Sequence, residues 1–399
     1  MPKTLFLLFA VAVHSLLTTD GQLFAQTITR LDNSQVTAEQ LDNKIAQLMK
    51  DASVTGMAIS IFNDGQAVYH KTFGYKNADT KIPLQTSTNF YGASLSKAVF
   101  SVLVMKLVEE KVIELDIPLQ NYLPKPVYEY GKGSSWNQDY TSLEQDSLYK
   151  KITARHCLTH TSGFANWRWD EPDQNLHVVF EPGSQYRYSG EGLCYLQFVI
   201  EKRTGKSLND LMQEKIFGPL GMKYSSYTWQ PAFEANYCFG HDTKGKVLEK
   251  DKDNAPRAAS TLETTPDDYA LFISAVLQKK ILRRATYDTL FKQQIRIRTR
   301  FQFGQEPWKY TTSENDPISL GYALGWGWLK TPYGPGVFKE GHGDGFQHYS
   351  ILFPGKRLGI VIMTNSDNGE SIFKELLEFA IRDTFTPWKW ERYTPFNLK

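Results

Sequence analysis

The chain has 399 residues, of which 41% are apolar and 22% charged, with 45 basic and 43 acidic side chains giving a net charge of +2. That balance excludes a disordered chain, and the lack of any long basic block gives no pointer to nucleic acid. The length suits one large domain or two ordinary ones. Cys157, Cys194 and Cys238 are odd in number and none has CxxC spacing, so they read as buried small hydrophobes with at most one bridge.

Residues 1–25 read as a targeting segment. Lys3 precedes the apolar run "TLFLLFAVAVHSLL", and Ala25 offers a small residue for cleavage. The run is too short and too poorly flanked for a stable membrane span, and no cysteine follows it to carry a lipid. The mature chain, 26–399, is therefore expected to be exported, periplasmic or secreted, as a single domain.

Next, "VTAEQLDNKIAQLMK" (36–50) has helical spacing after a capping Thr37. "GMAISIFNDGQAVYHKTFGYKN" predicts two strands joined at Asn63-Asp64-Gly65-Gln66, since Asp-Gly between β-rich runs is a strong hairpin signal. A long apolar helix is expected over 93–113. Residues 128–151 are polar and read as a surface excursion. Helices follow in "ITARHCLTHTSG", stopped near Gly163, in "GEGLCYLQFVIEKRTG", ending at Gly205, and in "SLNDLMQEKIFGPLGM", ending before Pro219. "TPDDYALFISAVLQ" places two acids at a helix start, where the dipole favours them. "HYSILFPGKRLGIVIMTNS" predicts a second hairpin turning at Pro354-Gly355-Lys356, and "GESIFKELLEFAIRDTF" a closing amphipathic helix. Packing the two hairpins into one antiparallel sheet gives an α+β fold. Its sheet lobe covers about 38–92 and 320–399, flanked by helices, and a mostly helical lobe, about 93–319, is inserted between.

Three segments carry candidate chemistry. Ser94 and Lys97 share a face at the start of the apolar helix. A serine needs a base to become a nucleophile, and burial can turn lysine into one by disfavouring its charged form. The helix start also offers N–H groups for an oxyanion. The bland alternative is a capping serine beside a solvated lysine. Ser96 is adjacent to Lys97 and faces elsewhere. In "EPGSQYRYSGEGLCYLQ", Tyr186 and Tyr188 are candidates to hold or relay a proton, or are simply core aromatics. In "KEGHGDGFQHYSILF", His342 and Asp344 stand among Gly341, Gly343 and Gly345 just before a strand, a place for close backbone approach to a ligand or for a tight bend at a sheet edge.

In this order, the segments resemble the motifs of the serine β-lactamase and penicillin-binding-protein superfamily. Ser94-Leu95-Ser96-Lys97 resembles its Ser-x-x-Lys, Tyr188-Ser189-Gly190 its Tyr-x-Asn, and His342-Gly343-Asp344 its Lys-Thr-Gly or His-x-Gly strand. "ITARHCLTHTSGF", "IFGPLGM" and "YSILFPGKRLGIVIMTN" are also similar to its connecting segments, so the likeness spans about 40–382. The branch resembled is that of class C β-lactamases, D-Ala-D-Ala carboxypeptidases and related esterases. The resemblance implies a β-lactamase-like fold and a serine hydrolase acting on D-amino-acid peptides, amides or esters, with a small-molecule or peptide substrate and no cofactor or metal. Ser94 would be acylated, Lys97 would take its proton, and Tyr188 would be the partner base. The N–H of Ser94 and one on the strand near His342, Gly343, Asp344 and Gly345 would bind the oxyanion; the strand register leaves the amide of Gly345 or Phe346 open as donor.

Two departures stand out. Gly190 replaces an asparagine that would bind the substrate's acylamide carbonyl. His342 stands where lactamases have lysine and Asp344 where the family has glycine, which argues against efficient β-lactam hydrolysis. The rival readings are a catalytically impaired sensor or binding protein and a true class C β-lactamase. His156 and His160 at i, i+4 suggest a helical metal pair, but Cys157 follows His156 in place of the metalloprotease glutamate. "GASLS" lacks the glycine of a nucleophile elbow.

Overall fold

A computed structural model describes residues 27–398 apart from 134, 253 and 305. The expected leader at 1–25 lies outside the described residues. The first helix, α1 (Ala38–Asp51), starts at Thr37, whose side chain accepts from the Gln40 N–H while Gln40 caps Thr37 in return. Its Leu41, Ile45, Leu48 and Met49 are buried. Strands β1 (Gly56–Asn63) and β2 (Gln66–Asn77) form the expected hairpin. Its turn residues Asp64 and Gly65 have φ of 50° and 73°. Both are positive, as a type I′ turn requires, so the turn's twist matches that of the strands it joins.

The sheet continues with β3 (Ile82–Pro83), β4 (Ile295–Arg296), β5 (Gly321–Tyr322), β6 (Gly327–Thr331), β7 (Gly334–Gly343), β8 (Phe346–Phe353) and β9 (Leu358–Thr364). The spatial order is β3-β2-β1-β9-β8-β7-β6-β5-β4, every pair antiparallel. The two expected hairpins meet where β9 pairs with β1, from Gly359 opposite Phe62 to Thr364 opposite Met57. In β1 every residue but Asn63 is buried, because both sheet faces are covered. Met57, Ile59 and Ile61 pack with Leu41, Ile45 and Leu377, while Ala58 and Phe62 face the core of the helical lobe. A sheet buried on both faces reads as a near-continuous apolar run, here "MAISIF", whose one polar residue, Ser60, is hydrogen-bonded to His70 Nδ1 at 2.8 Å.

The helical region contains α2 (Leu95–Glu109), α3 (Ala154–Leu158), α4 (Gly190–Thr204) and α5 (Pro266–Leu277); α6 (Phe373–Ile381) follows the sheet, and a short helix at Trp388–Glu391 comes after it. Twelve of the fifteen residues of α2 are buried. A helix apolar all round must lie between other elements, and α2 does: it anchors the larger of the two cores. Helix α4 ends at left-handed Gly205, as its sequence indicates.

Three expectations need correction. The 208–220 segment runs through Pro219 and stops at left-handed Gly221; a five-residue π turn at Gln213–Phe217 leaves room for the proline within its last turn. Helix α3 ends at Leu158, well before Gly163, and His160 has φ of 58°. His156 and His160 therefore do not share a helix face. Finally, His342 lies within β7, and the tight bend is the two-residue Asp344-Gly345 connection that follows. The expected α+β architecture of a large antiparallel sheet with helices is what the chain adopts.

Candidate active site

The nucleophile candidate is set by a short two-stranded contact. Phe90–Tyr91 pairs with Glu263–Thr264, and the Gly92 N–H donates to the Leu262 carbonyl at 2.7 Å. Ala93 then takes φ of 46°, a left-handed conformation that costs a non-glycine residue about 1–2 kcal/mol. That kink starts α2 at Ser94, with Lys97 one turn on. Lys97 is 1% exposed. Its Nζ lies 2.8 Å from Ser94 Oγ and donates to the Ala259 carbonyl at 2.7 Å. Ser96 is turned away: its hydroxyl donates to the Ala93 carbonyl and accepts from the Leu262 N–H. It fastens the helix start to the neighbouring chain.

Tyr188 enters from the segment that leads into α4, and Ser189 caps that helix by accepting from the Gly192 N–H. Tyr188 is buried beside Ser94. Its hydroxyl accepts from Lys339 Nζ at 3.0 Å. Tyr186, by contrast, is a core aromatic packed on Tyr322 and Trp390. The imidazole of His160 lies 4.2 Å from the Tyr188 ring. Its Nδ1 accepts from the Ser189 N–H, so the neutral ring carries its proton on Nε2, 3.2 Å from the Tyr322 hydroxyl.

Lys339 is the residue that sequence reasoning missed. It is fully buried on β7, and its Nζ pairs with the Glu340 carboxylate at 2.7 Å. Burial pushes the amine down, but Glu340 and Tyr188 more than offset this and leave Lys339 raised and cationic. Among the described residues no carboxylate forms an ion pair with Lys97. Burial drives it well below the usual lysine range, and the charge on Lys339 adds to the fall. Tyr188 is raised by burial and by Glu340, against the opposing pull of Lys339, so it remains a neutral phenol. The site therefore holds one amine kept cationic, one amine driven well below its usual range, and a neutral phenol between the charged amine and the serine.

The geometry shifts the strand register by three residues. Strand alternation puts Lys339, Gly341 and Gly343 on the face toward Ser94: a side chain at Gly341 would press on the Gly92 carbonyl, and one at Gly343 on the Tyr91 ring. Lys339-Glu340-Gly341 thus occupies the place expected for His342-Gly343-Asp344. The His342 side chain faces away, 3.1 Å from the Glu370 carboxylate and against Tyr393 and Phe303. Asp344 is exposed in the turn. The Gly345 N–H is taken by Asp367 at 3.0 Å, and Phe346 pairs with Gly343. Neither is free to serve as the oxyanion donor. Gly190 donates to Asn166, so its amide is also committed. One signal was available in the sequence: Lys339 and Gly341 stand in Lys-x-Gly spacing on alternate positions of one strand.

Beside Tyr188, a cavity of about 480 Å³ is lined by Asn166, Asp170, Arg187, Gln302 and Phe303. Its size suits a small organic ligand. Among the described residues no group of three or more histidine, cysteine, aspartate or glutamate side chains is placed to hold a metal ion. The three cysteines are buried and unbridged.

A buried serine–lysine helix start facing a lysine–glycine strand across a tyrosine, on a large antiparallel sheet, is the layout of the β-lactamase-like serine hydrolase superfamily. The chain belongs to the Beta-lactamase family, whose model matches residues 41–381. It is similar to "Protein flp" of Staphylococcus aureus strain MW2, 22% identical over 330 residues, covering 82% of this chain and 63% of that protein. It is similar also to "Penicillin-binding protein 4*" of Bacillus subtilis strain 168, 23% identical over 351 residues, covering 79% of this chain and 69% of that protein. The chain thus spans less than two thirds of the length of the first of these curated relatives. In fold it resembles the octameric penicillin-binding protein homologue from Pyrococcus abyssi, with a TM-score of 0.70, 21% identity, and coverage of 89% of this chain and 80% of that one. It also resembles the D-alanine carboxypeptidase AmpC from Burkholderia cenocepacia, with a TM-score of 0.64, 20% identity, and coverage of 82% and 93%.

Proposed function

We propose that this chain is an exported serine hydrolase that forms an acyl-enzyme on Ser94, with D-amino-acid peptides, amides or esters as substrates. The observation that carries the reading is the 2.8 Å contact between Ser94 Oγ and a buried lysine driven well below its usual pKa range. Ser94 Oγ attacks the carbonyl carbon as its proton passes to Lys97 Nζ, which becomes an ammonium. The oxyanion lies against the N–H of Ser94 and the N–H of His342. The latter follows from strand geometry. Gly343 and Phe346 flank a two-residue turn and exchange their hydrogen bonds, so the His342 N–H points to the opposite edge, where β6 has already ended opposite Phe338. Collapse breaks the bond to the leaving group, which takes the proton back from Lys97, with the Tyr188 hydroxyl in line to relay it. Water then attacks the ester carbonyl as its proton passes to Lys97 Nζ; collapse breaks the bond to Ser94 Oγ, which takes that proton back and is freed.

Lys339 bears on the substrate class. Part of the case against β-lactams rested on a missing strand lysine, and Lys339 supplies that cation. The case from Gly190 stands. Export is supported by the Lys3-plus-apolar leader pattern. Among the described residues no helix is long and apolar enough to cross a membrane. The test is labelling of the purified protein with a fluorophosphonate and a fluorescent penicillin, with Ser94→Ala as control, followed by a panel of peptides, p-nitrophenyl esters and nitrocefin. A label lost in Ser94→Ala supports the hydrolase; no adduct under any probe replaces it with a binding protein.

A further inference from the structure

We infer that the acyl-side subsite is an aromatic wall built on Trp167, and that the preferred substrates carry an aryl or bulky apolar acyl group rather than an acylamino group. This rests on the reading of Ser94 as the acylated residue. Gly190 is where the resemblance places an asparagine amide. A Cβ at Gly190 would lie 2.6 Å from Trp167 Cη2, 2.7 Å from its Cζ3 and 2.9 Å from the Asn166 carbonyl oxygen. All three distances are below van der Waals contact, so no side chain fits there. The space of the missing amide is filled by an indole.

That indole belongs to the site. Its ring centroid lies 5.8 Å from Lys97 Nζ, itself 2.8 Å from Ser94 Oγ. An acyl group two to four atoms long, leaving the Ser94 ester, reaches the ring by these distances. Trp167 is only partly buried, and Trp169 stacks on it at 5.4 Å and 21° while remaining 51% exposed. Two adjacent indoles left open to solvent beside a reactive centre are an unspent apolar surface.

The wall is also held rigid. Arg168, between the two tryptophans, makes a bidentate pair with Glu191, Nε and Nη2 each at 2.9 Å from a carboxylate oxygen, and its backbone N–H donates to the same carboxylate at 3.0 Å. Glu191 is fully buried at the start of α4. Three charge-assisted bonds inside the protein fix the loop that carries Trp167, directly next to Gly190. The backbone that carries the indole is thus held in place, which favours stacking on a planar acyl group.

The test compares kcat/KM for p-nitrophenyl phenylacetate and p-nitrophenyl acetate. In the native protein the ratio should favour phenylacetate by about tenfold or more, the scale on which an apolar pocket discriminates. Trp167→Ala should lower that ratio by about tenfold, and Trp167→Phe should keep most of it. A ratio unchanged in Trp167→Ala, or a native preference for acetate, overturns the inference while fluorophosphonate labelling at Ser94 keeps the parent reading intact. Loss of all labelling at Ser94 in the native protein would remove both.

Discussion

Lys97 and Lys339 bring their Nζ atoms to 4.9 and 5.0 Å from the centre of the same ring, Tyr188, yet their pKa values are driven in opposite directions. The difference is one carboxylate. Glu340 lies 2.7 Å from Lys339 and keeps it protonated; Lys97 meets only a carbonyl and a hydroxyl. The charged lysine then makes protonation of the other still harder. For the proposed hydrolase, this asymmetry favours Lys97 over Lys339 as the base without reference to any relative.

It can be tested through the pH profile. Lys339→Met alone strands the buried Glu340 carboxylate, a loss of about 3–5 kcal/mol that threatens folding. Lys339→Met with Glu340→Gln removes both charges and should fold. Losing Lys339 relieves more of the depression of Lys97 than losing Glu340 adds, so the Lys97 pKa rises and the acid limb of kcat/KM moves to higher pH. Stopped-flow ester hydrolysis across pH 5 to 9 measures it; a limb that stays in place would assign the base elsewhere.

The two serines in the motif should separate cleanly. Ser94→Ala abolishes fluorophosphonate labelling with little change in stability, because its hydroxyl makes no cap bond to the helix. Ser96→Ala keeps the label but strands the buried Leu262 N–H, costing about 1–3 kcal/mol. Intact-mass spectrometry and urea unfolding read the two effects independently.

Acid should destabilise the fold above the range where carboxylates titrate. His348 is fully buried, its Nε2 donates to the Tyr91 carbonyl at 2.8 Å, and its Nδ1 has no partner. Burial lowers its pKa from 6.5 to about 4. Between those values the unfolded chain binds a proton that the folded one refuses, so stability is full above pH 6.5 and falls as pH drops toward 4. The loss amounts to about 3 kcal/mol at most. His160, lowered by burial and by Lys97 and Lys339, acts in the same direction. Urea midpoints at pH 7 and 5 should differ, and His348→Leu should flatten that difference.

The thiols should be inert. Burial raises Cys194 to about 12 and pushes Cys157 and Cys238 higher. A disulfide-exchange reagent should count fewer than one thiol in the native protein within minutes and three in 6 M guanidinium. Fast native reaction would show that one of these sites opens.

Much of this was legible in the chain itself. The Asp64-Gly65 turn, the Thr37 cap, the all-apolar helix after Ser94 and the Gly205 stop are local rules, each decided by neighbours within a few residues. Ser94 and Lys97 meet because one helical turn brings them together, so their contact was also readable. The strand register was not. Alternation fixes which residues share a face but not which of them stands opposite a serine 245 positions earlier in the chain; only the packing of β7 against Gly92 and Tyr91 selects Lys339 over His342. The charge states of Lys97 and Lys339 and the indole over Gly190 are likewise tertiary facts. They depend on burial and on partners brought in from distant segments, which no local pattern encodes.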